Sequence, residues 1–400
     1  MQKNFIPVIL GGNLGSYSIA RSFHEAYQVK SMVICTATTG PIKKSKFIIP
    51  IEVPDMKDPK ILIQTLEDLE KKYPTMKILI GSGDWHVETI IDIRDSLGDS
   101  YMIPYVSKET FTKGTTKDSF YNLCESLGVP YPKTVILHKD YETLSLPFDY
   151  PIIIKPADTP AYSKAHFPGK KKIYFVHSKE EADRIIKAIF GSGYSKNIII
   201  QEYIEGDNES LGVVTCYRSF IDNEVKMISF GHVLLEDPTP SAIGNHLAII
   251  DAYDEQICKN IKKIVEALDF KGFSNFDVKY NVKTKQYVFF ELNGRLGRSN
   301  YYITGNGFNP APYYVKDLFK EPIDSNIAEG KPFLYTVVAK SLLKKRISKF
   351  STVVDEYYKK GYISHPLIYK ADNGFYRFIY SRISSFNYYK KFKNFKENTF

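Results

Sequence analysis

Asn275-Phe276-Asp277-Val278-Lys279-Tyr280, then Val282-Lys283-Thr284-Lys285, then Gln286-Tyr287-Val288-Phe289-Phe290-Glu291-Leu292-Asn293 read as two strands around a short turn. With Lys283-Thr284-Lys285 as a three-residue loop, antiparallel pairing sets Asp277 opposite Glu291. Opposed residues share a face, so the two carboxylates point the same way with Cβ atoms roughly 5 Å apart. Asn293 lies two residues further along that face. Carboxylates this close repel unless a cation sits between them. All three side chains offer the hard oxygens that Mg2+ takes, with water and nucleotide phosphates completing its octahedron. The competing reading is a solvated hairpin face whose acids lie near lysines such as Lys279. Tyr287 to Phe290, apolar or aromatic throughout, point to a covered strand and favour the metal.

Arg295 and Arg298 follow in Asn293-Gly294-Arg295-Leu296-Gly297-Arg298. Guanidinium groups beside a metal pair are placed to neutralise phosphate or carboxylate oxygens as charge develops. The alternative is a surface loop with incidental arginines. Upstream, Lys155 ends the apolar strand Ile152-Ile153-Ile154-Lys155-Pro156, where a lysine must reach water or meet an anion. Lys117 opens an amphipathic helix over 116–127, a weaker signal because exposed helix lysines are common. Gln201-Glu202-Tyr203-Ile204-Glu205-Gly206-Asp207-Asn208 closes a buried strand and offers backbone and amide groups to a base edge, then polar groups to a ribose.

The beginning of the chain has a different texture. An apolar run from Phe5 to Leu10 meets Gly11-Gly12-Asn13-Leu14-Gly15, a helical pattern follows to Tyr27, and short strands recur at 31–36 and 77–80, the last ending in Gly81-Ser82-Gly83-Asp84. Strand, glycine turn, helix and strand predict an α/β layer with a parallel sheet over about 1–105. The glycine spacing is not GxGxxG, and Cys35-Thr36 stands where a dinucleotide fold needs an acid. The turn is either purely structural or an anion site at a helix N-terminus. Residues 106–330 alternate helices and paired strands and predict an α+β domain.

Length and composition bound the rest. Four hundred residues with 43% hydrophobic and 25% charged side chains predict two or three packed domains. No run approaches the twenty or so apolar residues of a bilayer crossing, and the N-terminal apolar patch lacks the form of a secretory leader. The four cysteines are scattered without a CxxC pair, which argues against a zinc site or a disulfide framework. Net charge is +9, and residues 341–400 carry all of it, with 13 Lys/Arg against 4 Asp/Glu. The neutral first 340 residues disfavour nucleic acid as a partner.

The order of these pieces, closing in Asp277 and then Glu291-x-Asn293-x-Arg295, resembles the ATP-grasp superfamily over about residues 1–310. Within it, Val8-Ile9-Leu10-Gly11-Gly12, Ala20-Arg21-Ser22-Phe23-His24-Glu25-Ala26-Tyr27, Ile154-Lys155-Pro156-Ala157-Asp158 and Phe167-Pro168-Gly169-Lys170-Lys171 look most like the D-aspartate ligases of Gram-positive peptidoglycan synthesis. The resemblance implies an ATP- and Mg2+-dependent enzyme that activates an amino-acid carboxylate as an acyl phosphate and joins it to an amine. The amine implied is the lysine side chain of a muropeptide precursor. Lys117 and Lys155 would hold ATP phosphates, and Gln201, Glu202, Tyr203 and Ile204 would form the adenine hinge, with the Gln201 amide oxygen taking the amino group. Asp207 or Asn208 would lie near the ribose. Asp277, Glu291 and Asn293 would hold two Mg2+, Arg295 would face the acyl phosphate, and Arg298 a substrate carboxylate. The stretch 157–166 departs from many relatives in having no glycine where a flexible lid is usual. Rivals are a ligase for another amino acid or small metabolite, and a nucleotide-binding module without catalysis.

Residues 331–400 form a small, basic, aromatic-rich C-terminal extension outside the matched region. Aromatics interleaved with lysines predict either a helix docked on the body or a segment lying on an anionic membrane surface. The expected location is the cytoplasm, with the extension able to touch the inner face of the membrane.

Overall fold

The computed structural model describes residues 4–395, apart from 159, 160, 163, 207, 240, 241, 243, 326–329 and the side chain of Asn208. Strands β1 (Phe5–Leu10), β2 (Ser31–Cys35), β3 (Ile48–Glu52), β4 (Met76–Gly81) and β5 (Tyr101–Met102) form one sheet in the order β3-β2-β1-β4-β5. Every pairing in it is parallel. Helices cover such sheets on both faces, which is why β1, β2 and β4 are near-continuous apolar runs. The turn after β1 needs Gly11 at φ +120, and a Cβ there would run into the Ser82 and Ser16 hydroxyls and the His86 ring. Asn13 then caps the Leu14–Tyr27 helix, its side chain accepting from the Ser16 N–H at 3.2 Å.

The middle of the chain builds two further sheets. β6 (Thr134–Leu137), β7 (Ile152–Pro156), β8 (Tyr174–Val176) and β9 (Ile198–Glu202) run antiparallel in the order β6-β9-β7-β8. The Lys179–Gly191 helix packs Ala182, Ile186 and Ile189 into their core. The larger sheet takes β10 (Leu211–Arg218), β11 (Val225–Glu236), β12 (His246–Ala252), β13 (Gly272–Asn281), β14 (Gln286–Asn293), β15 (Leu334–Thr336) and β16 (Ile363–Ser364), in the order β14-β13-β10-β11-β12-β15-β16. Ile257, Ile261, Ile264 and Val265 of the Glu255–Ala267 helix recur at helical spacing and join a core with Val214, Ile228 and Phe276 of this sheet. A second core carries Val213, Met227 and Ile249 and continues through Tyr302 and Tyr314 to Phe23 and Ile9 of the first domain. All four cysteines are buried and unpaired.

The C-terminal extension is woven into this body. β15 pairs with β12 and β16 with β15, so residues beyond 330 finish the large sheet. The Phe375–Asn394 helix then docks beside the first domain. Arg377 donates to the carbonyls of Gly40 and Pro41 at 3.1 and 2.7 Å and pairs with Asp372 at 3.0 Å. Strands of three and two residues carry no usable periodicity, so their membership in a sheet is invisible before folding.

The turn after β16 holds a pH-sensitive contact. His365 Nδ1 accepts from the Leu367 N–H at 3.1 Å, which requires an unprotonated nitrogen. Burial, then the nearby Arg21 and Arg382, pull the ring from 6.5 down to about 4. Between those values the unfolded chain binds more protons than the folded one, so stability falls as pH drops from about 6.5 to 4. His365→Gln is expected to flatten part of the acid limb of a thermal-denaturation profile while leaving the pH 7–8 plateau level. His86 and His246, also held near 4 by burial, leave a residual slope.

Candidate active site

The β13–β14 hairpin brings Asp277 opposite Glu291 and Asn275 opposite Asn293. It does so by a route the sequence did not disclose. Asn281 pairs with Gln286, so the turn holds four residues, 282–285, with Lys285 at φ +55. Val278 pairs with Phe289, which leaves Phe290 as an extra residue in β14. The bulge cancels the longer turn, and the carboxylates still meet. Bulges re-aim side chains beside active sites, and this one is pinned where the Tyr121 hydroxyl donates to the Phe290 carbonyl at 2.8 Å.

Burial, and then the facing Glu291, push the Asp277 carboxyl well above its usual range. Burial also pushes Glu291 up, but the Lys117 ammonium 3.5 Å away, a hydrogen bond with Asp277, and Lys155 outweigh it and hold that carboxyl at about 2. The two shifts run in opposite directions, as expected of facing acids of which only one has lysines beside it. Asn293 Nδ2 approaches Asp277 Oδ2 at 3.5 Å. This donor set fits Mg2+: two facing carboxylates carry a strain that a divalent cation relieves, with the Asn293 amide beside them, its Nδ2 toward Asp277 and its Oδ1 accepting from Arg295. Among the described residues no group of three His, Cys, Asp or Glu side chains converges as a metal cage. A metal here would complete its shell with phosphates and water.

The pair opens into a cavity of about 340 Å³ between the four-stranded sheet and the large sheet. Lys117, Lys155, Gln201, Glu202, Tyr203, Ile204, Asp277 and Glu291 all line it. Asn293, Arg295 and Arg298 lie outside that lining. Burial and the neighbouring Lys117 pull the Lys155 ammonium down to about 7. Its Nζ donates to Gln201 Oε1 at 2.9 Å, and Gln201 Nε2 donates to the Tyr121 and Thr134 hydroxyls, each at 2.9 Å. The Gln201 amide is thus directed at the lysine, whereas the sequence reading aimed it at an adenine amino group. Buried polar groups seek partners inside the protein first. Gln201→Leu would take the acceptor from the Lys155 ammonium, while the Tyr121 and Thr134 hydroxyls keep the Phe290 and Pro132 carbonyls, and is expected to cost about 1–3 kcal/mol in a denaturant titration. A larger crevice of about 750 Å³ between Arg21, Tyr301, Lys331 and Tyr362 has no carboxylate in its lining.

Arg295 bridges two domains. Its Nη2 donates to Asp84 Oδ2 at 2.7 Å and to Asn293 Oδ1 at 3.3 Å, while its buried Nε has no hydrogen-bond partner. Asp84 begins the Asp84–Ile93 helix of the first domain and was not among the expected site residues. Its signal was the glycine-flanked strand end, Gly81-Ser82-Gly83-Asp84. Arg298 lies in the adjoining loop, packed against the β1 turn: a Cβ on Gly15 would sit 3.4 Å from the Arg298 Cα. The Arg298 charge reaches His246, whose ring burial has already pulled down.

Glu236 and His246 were also missed. They face each other across β11 and β12, 3.8 Å apart, and both line the cavity. Burial pushes the Glu236 carboxyl up to about 7. Glu236 is the last residue of β11 and His246 the first of β12, positions that no residue pattern marks as facing a cavity. Asp207 lies outside the described residues, as do 159, 160 and 163 of the lid stretch. Asn208 opens the short turn Asn208–Ser210, its side chain undescribed.

Over 413 aligned residues the chain is 31% identical to the D-aspartate ligase of Enterococcus faecium strain Aus0004, covering 98% of this chain and 97% of that one. Among solved structures, an L-amino acid ligase from Bacillus licheniformis superposes with a TM-score of 0.56 at 14% identity, over 80% of this chain and 75% of that one. The N5-carboxyaminoimidazole synthetase of Staphylococcus aureus complexed with ADP gives a TM-score of 0.58 at 13% identity, over 84% and 82%. No family model matches the chain.

Proposed function

This chain belongs to the D-aspartate ligase family of ATP-grasp carboxylate–amine ligases, and we propose that it couples D-aspartate to the lysine side chain of a peptidoglycan precursor. The activity is ATP-dependent ligation of a carboxylate to an amine. The observation that carries the site assignment is the facing of Asp277 and Glu291 in a cavity that also holds Lys117 and Lys155.

A carboxylate resists attack by an amine because its leaving group would be oxide. Transfer of the γ-phosphoryl group of ATP to a carboxylate oxygen gives an acyl phosphate and ADP. Attack by the amine then forms the amide and releases phosphate and a proton. Two Mg2+, held by Asp277, Glu291 and Asn293, would neutralise charge on the transferring phosphoryl group. Lys117 and Lys155 hold phosphate oxygens, and Lys155 is kept in place by Gln201. Glu202, Tyr203 and Ile204 present the hinge to adenine, and the ribose contact is assigned to Asp207 or Asn208 from the sequence alone. Arg295 is positioned by Asp84 and Asn293 to stabilise the oxyanion of the tetrahedral intermediate. Arg298 takes the second carboxylate of the donor. ATP as co-substrate and four unpaired cysteines support a cytoplasmic setting.

Hydroxylamine trapping with Mg-ATP and a panel of L- and D-amino acids tests the proposal. Hydroxamate formed with D-aspartate alone is the expected result. Hydroxamate with a different acid would keep the ligase chemistry and overturn the donor. No hydroxamate and no ADP release, even with a lysine-containing muropeptide present, would sink the site assignment.

A further inference from the structure

The Phe375–Asn394 helix has two different faces. Arg377, Ser381, Tyr388 and Phe392 are buried against the body. On the opposite side Phe375 is 83% exposed, Phe378 57%, Ile383 54% and Phe386 68%, with Ile379 beside them. These positions recur at three- and four-residue steps, so they form one continuous stripe. The helix contains five basic residues and no acid. Arg377 and Lys391 turn inward to Asp372 and Asp237. Arg382, Lys390 and Lys393 are exposed on the stripe side, and the Arg382 guanidinium lies 5.1 Å from the Phe378 ring centre. At the first turn, Lys44 reaches over the Tyr376 ring at 5.5 Å and adds another cation.

We infer that this outward stripe seats the protein on an anionic lipid surface. Aromatic and branched side chains would enter the headgroup boundary, while the cations among them meet lipid phosphates. The placement of charge favours lipid over a protein partner. Protein interfaces exclude charge from their centre, whereas Arg382 sits in the middle of this stripe, between Phe378, Ile379, Ile383 and Phe386. A lipid surface takes that arrangement directly, because a guanidinium can stay at headgroup level above buried rings. Among the described residues no helix is long and apolar enough to cross a membrane, so the contact is lateral. The inference does not depend on which amino acid the enzyme uses.

The test is co-sedimentation of the full chain with phosphatidylcholine vesicles, with and without phosphatidylglycerol. Binding only to the anionic vesicles, weakening as salt rises, is expected. Phe378→Ser with Phe386→Ser, and separately Arg382→Glu with Lys390→Glu, should each lower partitioning by about tenfold or more. ADP-forming turnover on soluble substrates and the melting temperature should stay at their parent values. Equal partitioning onto both vesicle types, absent binding, or parent-like binding by both double variants overturns the inference. So does self-association through this stripe in the absence of vesicle binding, which would assign the face to a second copy of the chain.

Discussion

Replacing Asp277 by Asn, or Glu291 by Gln, is expected to lower ATP-dependent ligation by at least about a thousandfold, with the fold retained. Each change removes one of two facing carboxylates, and so removes half the charge available to a metal. The amides keep the shape of the side chains, so packing around the β14 bulge survives. Asp277→Asn relieves the facing of two buried acids and should leave the metal-free protein at least as heat-stable as the parent, whereas Glu291→Gln also takes the carboxylate from Lys117 and Lys155 and is expected to be somewhat less stable. Coupled-assay ADP release across a Mg2+ titration, with circular dichroism alongside, checks both halves. Parental turnover in either variant would remove the metal from this face. Loss of turnover with loss of structure would show that the acids serve folding instead.

Arg295→Lys is the second large effect, a fall in kcat of about a hundredfold to a thousandfold with little change in KM for ATP. The guanidinium meets Asn293 within the site and Asp84 from the first domain at the same nitrogen, a bridge across two domains. A lysine keeps the charge but cannot reach both partners and an oxyanion together. Asp84→Asn is the informative companion. If Asp84 positions the arginine, kcat falls in that variant too, though less, and nucleotide affinity stays put. If Asp84 only anchors a domain edge, the melting temperature drops and kcat is unchanged.

The hairpin was legible because two strand-like runs flank one short turn, and a three-residue loop sets Asp277 opposite Glu291. Strict alternation would put Phe289 on the face of Glu291, and only the Phe290 bulge lets Phe276 and Phe289 share the buried face while the acids share the other. What could not be read was the compensation between a four-residue turn and the Phe290 bulge, since a bulge has no residue signature of its own in this strand. Lys155 stood out as a charge at the end of an apolar run. Its partner did not, because Gln201, Tyr121 and Thr134 converge from three separate elements. Asp84, Glu236 and His246 were missed for a related reason: each stands at an element's edge, and only the folded chain shows that Glu236 and His246 face the cavity and that Asp84 meets Arg295. The order of the first sheet followed from glycine punctuation, whereas β15 and β16 are too short to carry any pattern.

Those two short strands, together with the helix after them, govern how the protein can be made. The Tyr17 hydroxyl rests on Asp372, 355 residues away, and β12 has one neighbour in β11 and awaits the other from beyond residue 330. Contacts so distant form late, because the intervening chain must be closed into a loop first. During translation the first domain therefore waits, part-covered, for its lid of C-terminal chain, and chaperones have their longest window there. A nonsense mutation shortly after residue 330 would yield no smaller ligase. It would leave β12 as an open edge, ready to pair with another molecule and aggregate.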